Sequence, residues 1–202
     1  MKKYFVTGIS TEVGKTVASA IIVEALLADY WKPIQAGELE NCDTQKVKRL
    51  VSNNNSKFHL NSYALKTPMS PHAAADIDGI KISLKKIVEP KTKNNLVIEG
   101  AGGLLVPING KETILDIIKP EYKVIVVSRH YLGSINHTLL TLKLLQEKGF
   151  EVALIFSGNE NKTTEDIIKK MTNINVVGRI EEEPYFDKNV IKEYADLFRD
   201  KL

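Results

Sequence analysis

The sequence predicts an α/β fold in which helices cover both faces of one mostly parallel sheet. Short apolar runs alternate with longer amphipathic ones along the 202 residues, as in parallel sheets whose strands are buried on both faces. Hydrophobic residues make up 43% of the chain and charged residues 26%. This ordinary globular composition excludes disordered, collagen-like and coiled-coil classes. We expect a single doubly wound, three-layer α/β/α domain over residues 1–202.

The first half of the chain contains three strand signals and two helix signals. Strands are predicted at 4–6, 31–35 and 96–98. The second of these is expected at a sheet edge or to end early, because Pro33 lacks a backbone N–H. Apolar residues recur at spacings of three and four over 17–28, which predicts a helix. A shorter helix is predicted over 46–52.

The second half repeats the alternation of strands and helices. Strands are predicted at 124–127, 152–156 and 175–177, and helices at 134–148, 163–171 and 188–199. Gly149 is suited to end the first of these helices as a C-cap. Ligands of such sheets gather at the carboxyl ends of the strands, so the residues that follow each strand are the candidates for function.

Charge and cysteine content exclude several classes of protein. The 28 basic and 25 acidic side chains give a net charge of +3, which is too balanced to indicate nucleic acid or an anionic membrane as a partner. The single cysteine, Cys42, permits no disulfide within the chain. The apolar run after the first lysines is too short for a signal peptide or a membrane span. We therefore expect a cytoplasmic protein.

A phosphate-binding loop follows the first predicted strand. Residues 8–16 read Gly-Ile-Ser-Thr-Glu-Val-Gly-Lys-Thr and lead into a helix, the context that such a loop requires. Backbone N–H groups and the helix N-terminus can hold phosphate oxygens, Lys15 adds a full charge, and the Thr16 hydroxyl suits Mg²⁺. Five residues separate Gly8 from Gly14, one more than the common pattern. The alternative is an ordinary glycine-rich turn with an incidental lysine.

Two acids and a second lysine are candidates to complete a nucleotide site. Glu99 follows an apolar strand, and Asp43 lies after the second strand; Mg²⁺ usually takes one or two such carboxylates. Glu99 could instead be a solvent-facing acid, and Asp43 a helix N-cap. Lys32 interrupts an apolar strand and could stabilise charge on a transferred phosphoryl group. The alternative for Lys32 is an edge lysine whose ammonium reaches water.

Taken together, these motifs resemble the dethiobiotin synthetase family, ATP-dependent carboxylases that act late in biotin synthesis. The matching motifs are Y-F-V-T-G-x-x-T-E-V-G-K-T at 4–16, K-P-I-Q-A-G at 32–37, the region of Asp43, S-P-H at 70–72, V-I-E-G-A-G-G at 97–103 and L-G-S-I-N-H at 132–137. The extra residue in the phosphate loop is part of that family's pattern. The histidines and the cysteine do not have the spacing of metal ligands, so they indicate no separate metal site.

The resemblance implies a reaction and a role for each matching residue. ATP and Mg²⁺ would drive closure of 7,8-diaminopelargonic acid and CO₂ into the ureido ring of dethiobiotin. Lys15 and Lys32 would stabilise charge, and Thr16, Asp43 and Glu99 would hold Mg²⁺. The residues implied to bind ATP are Glu12, Val13, Gly14, Lys15, Thr16 and Val17. Those implied to lie near the diamine and carbamate are Thr11, Gly100, Ala101 and Gly102.

The resemblance also implies a homodimer in which the turn at 132–137 of one subunit holds the substrate carboxylate of the other. The residues that match this turn are Leu132, Gly133, Ser134 and Asn136, at a helix N-terminus suited to an anion. Two positions depart from the family. A hydroxyl residue that contacts substrate in relatives is replaced by Ala36, and the base-reading asparagine falls on Gly158 or Asn159.

Two other functions use the same kind of loop. A partitioning or cell-division ATPase, acting through protein partners, would carry a further lysine where this chain has Ser10. A larger amidating synthetase would need a cysteine nucleophile in a separate glutamine-hydrolysing domain, and the only cysteine is Cys42. We therefore predict the synthetase reaction, with the partitioning ATPase as the alternative.

Overall fold

A computed structural model describes residues 1–202 and contains eight strands. These are β1 (Lys3–Gly8), β2 (Asp29–Trp31), β3 (Ile34–Ala36), β4 (Tyr63–Leu65), β5 (Leu96–Gly103), β6 (Lys123–Arg129), β7 (Glu151–Ser157) and β8 (Asn175–Ile180). Six of them form a sheet in the order β2-β5-β1-β6-β7-β8, with every neighbouring pair parallel. Strands β3 and β4 form a separate parallel pair. The predicted fold class is confirmed.

Six α-helices accompany the strands. They are α1 (Lys15–Leu26), α2 (Asp43–Leu50), α3 (Pro71–Ile77), α4 (Ser134–Glu147), α5 (Lys162–Thr172) and α6 (Lys188–Phe198). Helix α1 packs against α2 and α6, whereas α4 packs against α5. No helix has both the length and the apolar composition needed to cross a membrane.

The prediction of one continuous strand over residues 31–35 was wrong, whereas the expectation of a sheet edge or a strand end at Pro33 is confirmed. The segment divides into β2, which ends at Trp31, and β3, which begins at Ile34 and pairs with β4 instead of the main sheet. Proline at position 33 cannot donate to a strand neighbour, and the N–H of Tyr63 instead donates to the Pro33 carbonyl at 3.0 Å. The break between the sheets leaves Lys32 outside any strand.

Other boundaries also differ from the predictions. Helix α2 begins at Asp43 rather than at residue 46, and β8 continues to Ile180 rather than ending at 177. Strand β4 and helix α3 were not predicted, because each is short and only partly buried. Helix α4 ends at Glu147 with Lys148 as its C-cap, and the predicted Gly149 follows as the residue with a positive φ of 78°, a conformation that commonly ends helices.

The core is a cluster of 47 buried hydrophobic residues. Its centre is formed by β1, β5 and β6, which are covered on both faces, so that residues 124–127 of β6 have no exposed surface. Full burial of one Val or Ile side chain stabilises the fold by about 1.5–3 kcal/mol relative to exposure. This rigid centre fixes the positions of the loops that follow β1 and β5.

Candidate active site

A cavity of about 850 Å³ lies at the carboxyl edge of the main sheet. The loops that follow β1, β2, β5, β7 and β8 meet there, as expected for ligand sites of open α/β sheets. Twelve of the residues predicted to form the site line this cavity: Thr11, Glu12, Gly14, Lys15, Thr16, Val17, Lys32, Ala36, Asp43, Glu99, Ala101 and Gly102. Residues far apart in sequence are therefore brought together in one place.

The loop between β1 and α1 has the geometry of an anion site. Gly14 has a φ of 92°, and a Cβ there would lie 2.9 Å from the Ser157 hydroxyl oxygen, so only glycine fits. No side chain caps the N-terminus of α1, which leaves its first N–H groups available to phosphate oxygens. The buried Lys15 ammonium donates to the Ser10 carbonyl at 2.9 Å. Burial, partly offset by Glu99, lowers the pKa of Lys15 to about 8.

A buried cluster of charged side chains stands beside this loop. The carboxylate of Glu99 accepts through Oε1 from the Thr16 hydroxyl and the Lys32 ammonium, each at 3.1 Å, and through Oε2 from the Tyr30 hydroxyl at 2.9 Å. Lys32 Nζ also donates to Oδ2 of Asp43. One ammonium therefore bridges two carboxylates at the base of the cavity.

Opposite charges outweigh burial in this cluster. Burial alone lowers the pKa of Lys32, but the adjacent Glu99 and Asp43 carboxylates raise it above its ordinary value. Burial likewise raises the pKa of Asp43, yet the Lys32 ammonium and the nearby Lys46 lower it overall. Burial and the neighbouring carboxylates raise the pKa of Tyr30 well above its usual range. Lys32 is thus a cation and Tyr30 a hydrogen-bond donor at neutral pH.

The donor set suits Mg²⁺. The Thr16 hydroxyl and one oxygen of Glu99 lie 3.1 Å apart, and Asp43 is joined to the same Glu99 oxygen through Lys32. These are hard oxygen ligands, and Mg²⁺ typically takes only one or two carboxylates beside phosphate and water. No group of three or more His, Cys, Asp or Glu side chains forms a separate metal site. The residues present therefore fit a metal that arrives with a nucleotide.

Some predicted residues lie beside the cavity without lining it. Val13 is buried in the core. Gly100 packs against the Phe5 ring, 3.1 Å from the position of an added Cβ, so its small size serves packing. After β7, Gly158 lines the cavity, whereas the exposed Asn159 does not.

The turn before α4 lies outside the cavity of its own chain. Leu132 is fully exposed, Gly133 has a φ of 99° with open space around it, and Asn136 is exposed. Ser134 is buried, and Gly133 rather than Ser134 occupies the N-cap position. None of the four residues contributes to the cavity within one chain.

Several cavity residues were not predicted from sequence. The most prominent is the tripeptide Glu181–Glu183, which lines the cavity directly after β8. Glu182 pairs with the guanidinium of Arg129 at 2.8 Å, joining the loop after β8 to the end of β6. The rule that ligands gather at strand ends would have found this loop, but the predicted strand ended three residues early.

Solved structures share this fold at low sequence identity. A ParA family ATPase from Chlorobium tepidum TLS aligns with a TM-score of 0.58 and 12% identity, covering 96% of this chain and 97% of that one. The MinC:MinD cell division protein complex of Aquifex aeolicus aligns with a TM-score of 0.58 and 16% identity, covering 100% and 93%. Fold and loop together define the class: an α/β nucleotide-binding protein of the P-loop type.

Sequence relatives define the family within this class. A family model described as an AAA domain matches residues 2–190. The ATP-dependent dethiobiotin synthetase BioD of Christiangramia forsetii is 64% identical over 202 residues, covering 100% of this chain and 98% of the relative. That of Cytophaga hutchinsonii is 47% identical, with 96% of each chain covered. The chain belongs to the ATP-dependent dethiobiotin synthetase family.

Family membership confirms the predicted enzyme class and its use of ATP. The partitioning ATPase considered as the alternative is not favoured, because likeness to ParA and MinD at 12–16% identity reflects a shared fold alone.

Proposed function

We propose that the chain closes the ureido ring of dethiobiotin from 7,8-diaminopelargonic acid, CO₂ and ATP. The observation that carries the proposal is the Lys32 ammonium, held between Asp43 and Glu99 at the base of the cavity beside the phosphate loop. Family membership supports the overall reaction. The roles of individual residues are proposed from their positions.

The first steps make the carboxyl carbon reactive. One substrate amine adds to CO₂ and loses a proton, which gives a carbamate. A carbamate oxygen then attacks the γ-phosphorus of ATP, the bond to the bridging oxygen breaks, and ADP leaves. Phosphoryl transfer relies mainly on positioning and charge stabilisation, so Lys15 and Lys32 would stabilise the charge that develops on the transferred group. No protein nucleophile is required.

Ring closure consumes the resulting carbamic–phosphoric anhydride. The second amine attacks the carbonyl carbon, the C–O bond to phosphate breaks, and phosphate leaves with the electron pair while the amine loses a proton. Thr11 and the turn at 100–102 would lie beside the diamine. Ala36 lines the same cavity and offers no hydroxyl, so orientation of the substrate would rest on the other contacts.

The phosphate loop would hold ATP through backbone N–H groups of residues 12–17, with the Lys15 ammonium near the outer phosphates. Thr16, Asp43 and Glu99 would hold Mg²⁺, which supplies positive charge to the phosphate oxygens when bound. Asn159 follows the cavity-lining Gly158 in sequence. Its side chain is exposed, so it would have to change conformation to contact the adenine base of ATP.

The direct test supplies purified protein with the diamine, bicarbonate, Mg²⁺ and ATP. We expect dethiobiotin by mass spectrometry and one phosphate per product molecule. Omission of the diamine is the matched control. Phosphate release that does not exceed this control would overturn the proposal, and ATP hydrolysis stimulated by a protein partner would favour the partitioning ATPase instead.

We also propose that residues 1–202 act as one domain within a homodimer whose active sites are shared. The single hydrophobic cluster supports the first statement. The fully exposed Leu132, beside an uncapped helix N-terminus that lies away from its own cavity, supports the second.

Mixed dimers test the shared site. Lys32→Ala and Asn136→Asp each inactivate one half of a shared site, and the second places a negative charge opposite the substrate carboxylate. After mixing with subunit exchange, a shared site restores on the order of a quarter of wild-type activity, because half of the dimers carry one intact site. If each chain forms its own site, Asn136→Asp is active by itself, because Asn136 lies outside its own cavity, and the mixture shows only the sum of the two variants' separate activities.

A further inference from the structure

The carboxylate of Glu99 is held from two opposite sides. Its Oε1 faces the cavity residues Thr16 and Lys32, each at 3.1 Å, whereas its Oε2 accepts only from the hydroxyl of Tyr30 at 2.9 Å. Glu99 is 1% exposed and Tyr30 is completely buried. The two oxygens of one carboxylate therefore have different tasks: one faces the ligand site and the other faces the core.

Strand pairing places Tyr30 at this contact. Strand β2 lies beside β5, with Tyr30 opposite Val97 and Trp31 opposite Ile98. Side chains alternate along a strand, so Val97 and Glu99 project from the same face of β5 as the ring of Tyr30. The ring also packs against that of Phe58, at 6.3 Å between centroids. Tyr30 is thus a completely buried donor whose packing opposes movement of its ring with the carboxylate.

A carboxylate fixed in this way can offer only one oxygen to a metal. Mg²⁺ demands near-ideal octahedral geometry at about 2.0–2.1 Å, whereas Ca²⁺ accepts flexible geometry and two-oxygen carboxylate ligation at about 2.3–2.6 Å. Rotation of Glu99 toward two-oxygen ligation would break the Tyr30 contact and leave a buried hydroxyl without a partner. A buried polar group that loses its only partner is destabilising, which opposes this rotation.

We propose that Tyr30 is a positioning residue that restricts Glu99 to one-oxygen ligation and so makes the nucleotide site select Mg²⁺ over Ca²⁺. This inference rests on the proposed function in one respect, the assignment of Glu99 as a ligand of the nucleotide-borne metal. Tyr30 itself is completely buried and does not line the cavity. Removing a residue that hydrogen-bonds to a metal ligand typically weakens metal binding 10–100-fold.

The test compares Mg²⁺ and Ca²⁺ binding to the full-length protein saturated with a non-hydrolysable ATP analogue, by titration calorimetry. In Tyr30→Phe we expect the affinity for Mg²⁺ to fall about tenfold or more, while the affinity for Ca²⁺ is retained or rises. The ratio of the two affinities is the decisive quantity, because a general loss of structure would lower both together. An unchanged ratio, or an equal loss for both ions, would overturn the proposal.

A matched control lies at the opposite edge of the sheet. Tyr122 is also buried, and its hydroxyl also donates to a glutamate, Glu89. Tyr122→Phe removes the same chemical group from the same kind of contact, away from the cavity. We expect its Mg²⁺ to Ca²⁺ ratio to equal that of the wild type, and a shift as large as that of Tyr30→Phe would contradict the inference.

Crystal structures of the wild-type protein with the analogue and either ion test the same point without any variant. With Mg²⁺, Glu99 should bind through Oε1 alone while Oε2 remains on the Tyr30 hydroxyl. Two-oxygen ligation of Mg²⁺ with a broken Tyr30 contact would refute the proposal even if Tyr30→Phe does not fold. Dethiobiotin formation by the wild type is measured separately, so failure of the proposed function is distinguishable from failure of this inference.

Discussion

The two ends of the main sheet carry similar clusters of charge with opposite consequences. At the carboxyl edge, Lys32 bridges Asp43 and Glu99, and Tyr30 donates to Glu99. At the amino edge, the carboxylate of Glu89 accepts from its neighbours, which are Lys3, Lys119 and Tyr122. Each cluster therefore combines lysines, carboxylate and a buried tyrosine hydroxyl.

What separates the two clusters is their surroundings. The Lys32 side chain is 7% exposed and lines a large cavity beside the phosphate loop, whereas that of Lys119 is 51% exposed and lies outside this cavity. Charge that is buried next to an open cavity has strong electrostatic effects on whatever enters, and exposed charge is screened by water. Similar side chains therefore face an open cavity at one edge and join segments of the fold at the other.

The sharpest test of this comparison replaces one lysine from each edge. Lys32→Ala should lower kcat by roughly 10²–10³-fold, the usual effect of removing one group that stabilises a developing charge. The dissociation constant of an ATP analogue should change little, because the phosphate loop is untouched. Lys119→Ala should leave both quantities as in the wild type. Equal losses of turnover and nucleotide binding in Lys32→Ala would show that Lys32 is a structural residue.

A second prediction concerns pH and the other active-site lysine. Burial lowers the pKa of Lys15 to about 8, so its ammonium loses the proton as pH rises through about 8. The affinity for a magnesium–ATP analogue should therefore be flat below about pH 7 and fall above about pH 8, approaching tenfold per pH unit for a single required proton.

Lys15→Arg is the control for this pH profile. A guanidinium stays charged throughout the range, so the variant should show no fall of affinity between about pH 7.5 and 9.5, whatever its affinity at neutral pH. Fluorescence titrations with a labelled analogue measure both profiles. A wild-type profile as flat as that of Lys15→Arg would show that the charge of Lys15 does not titrate in this range.

The smallest effect is expected at the amino edge. Burial raises the pKa of Glu89, but hydrogen bonds from Lys119, Lys3 and Tyr122 outweigh it and hold the pKa at about 2, below the ordinary 4.5. A depressed carboxyl pKa stabilises the fold above about pH 4.5, and this stabilisation is lost as pH falls through about 2. Glu89→Gln should reduce the free energy of unfolding at pH 7 by about 1–2 kcal/mol, after allowance for solvent screening.

Urea unfolding at pH 7 and pH 3 checks this value. The difference between the wild type and Glu89→Gln should shrink toward the lower pH, and kcat at pH 7 should be unchanged. A loss of activity comparable to that of Lys32→Ala would end the distinction between the two edges.

Much of the main sheet could be predicted because its strands are continuous apolar runs bounded by polar residues. Residues 124–127 are an example, since no other element accommodates four buried β-branched residues so readily. The division at Pro33 could not be predicted, because proline shows that pairing stops but not where the chain goes next. The partner strand β4 is three residues long and half exposed, which leaves no periodic signal.

The candidate site was predictable where a motif carries its own chemistry. The phosphate loop and Glu99 are recognised from neighbours in sequence, whereas Tyr30 in an apolar strand has the pattern of a core residue. Its contact with Glu99 depends on the pairing of β2 with β5, which no local pattern specifies. The acids after β8 were missed because Gly178 and Arg179 interrupt the apolar run, although Gly178 only makes room for the Phe198 ring.

The break between the two sheets has a consequence for how such an enzyme can be modified. The Lys32 backbone leaves the main sheet at Trp31 and joins the small sheet at Ile34, which is fastened at its far end by the donation of the Gly37 N–H to the Leu65 carbonyl at 2.9 Å. The position of the Lys32 ammonium thus depends partly on the small sheet, which shares no strand with the main sheet that carries the phosphate loop. Redesign of residues 34–37 and 63–65 would therefore change the support of Lys32 and one wall of the cavity without altering a strand of the main sheet.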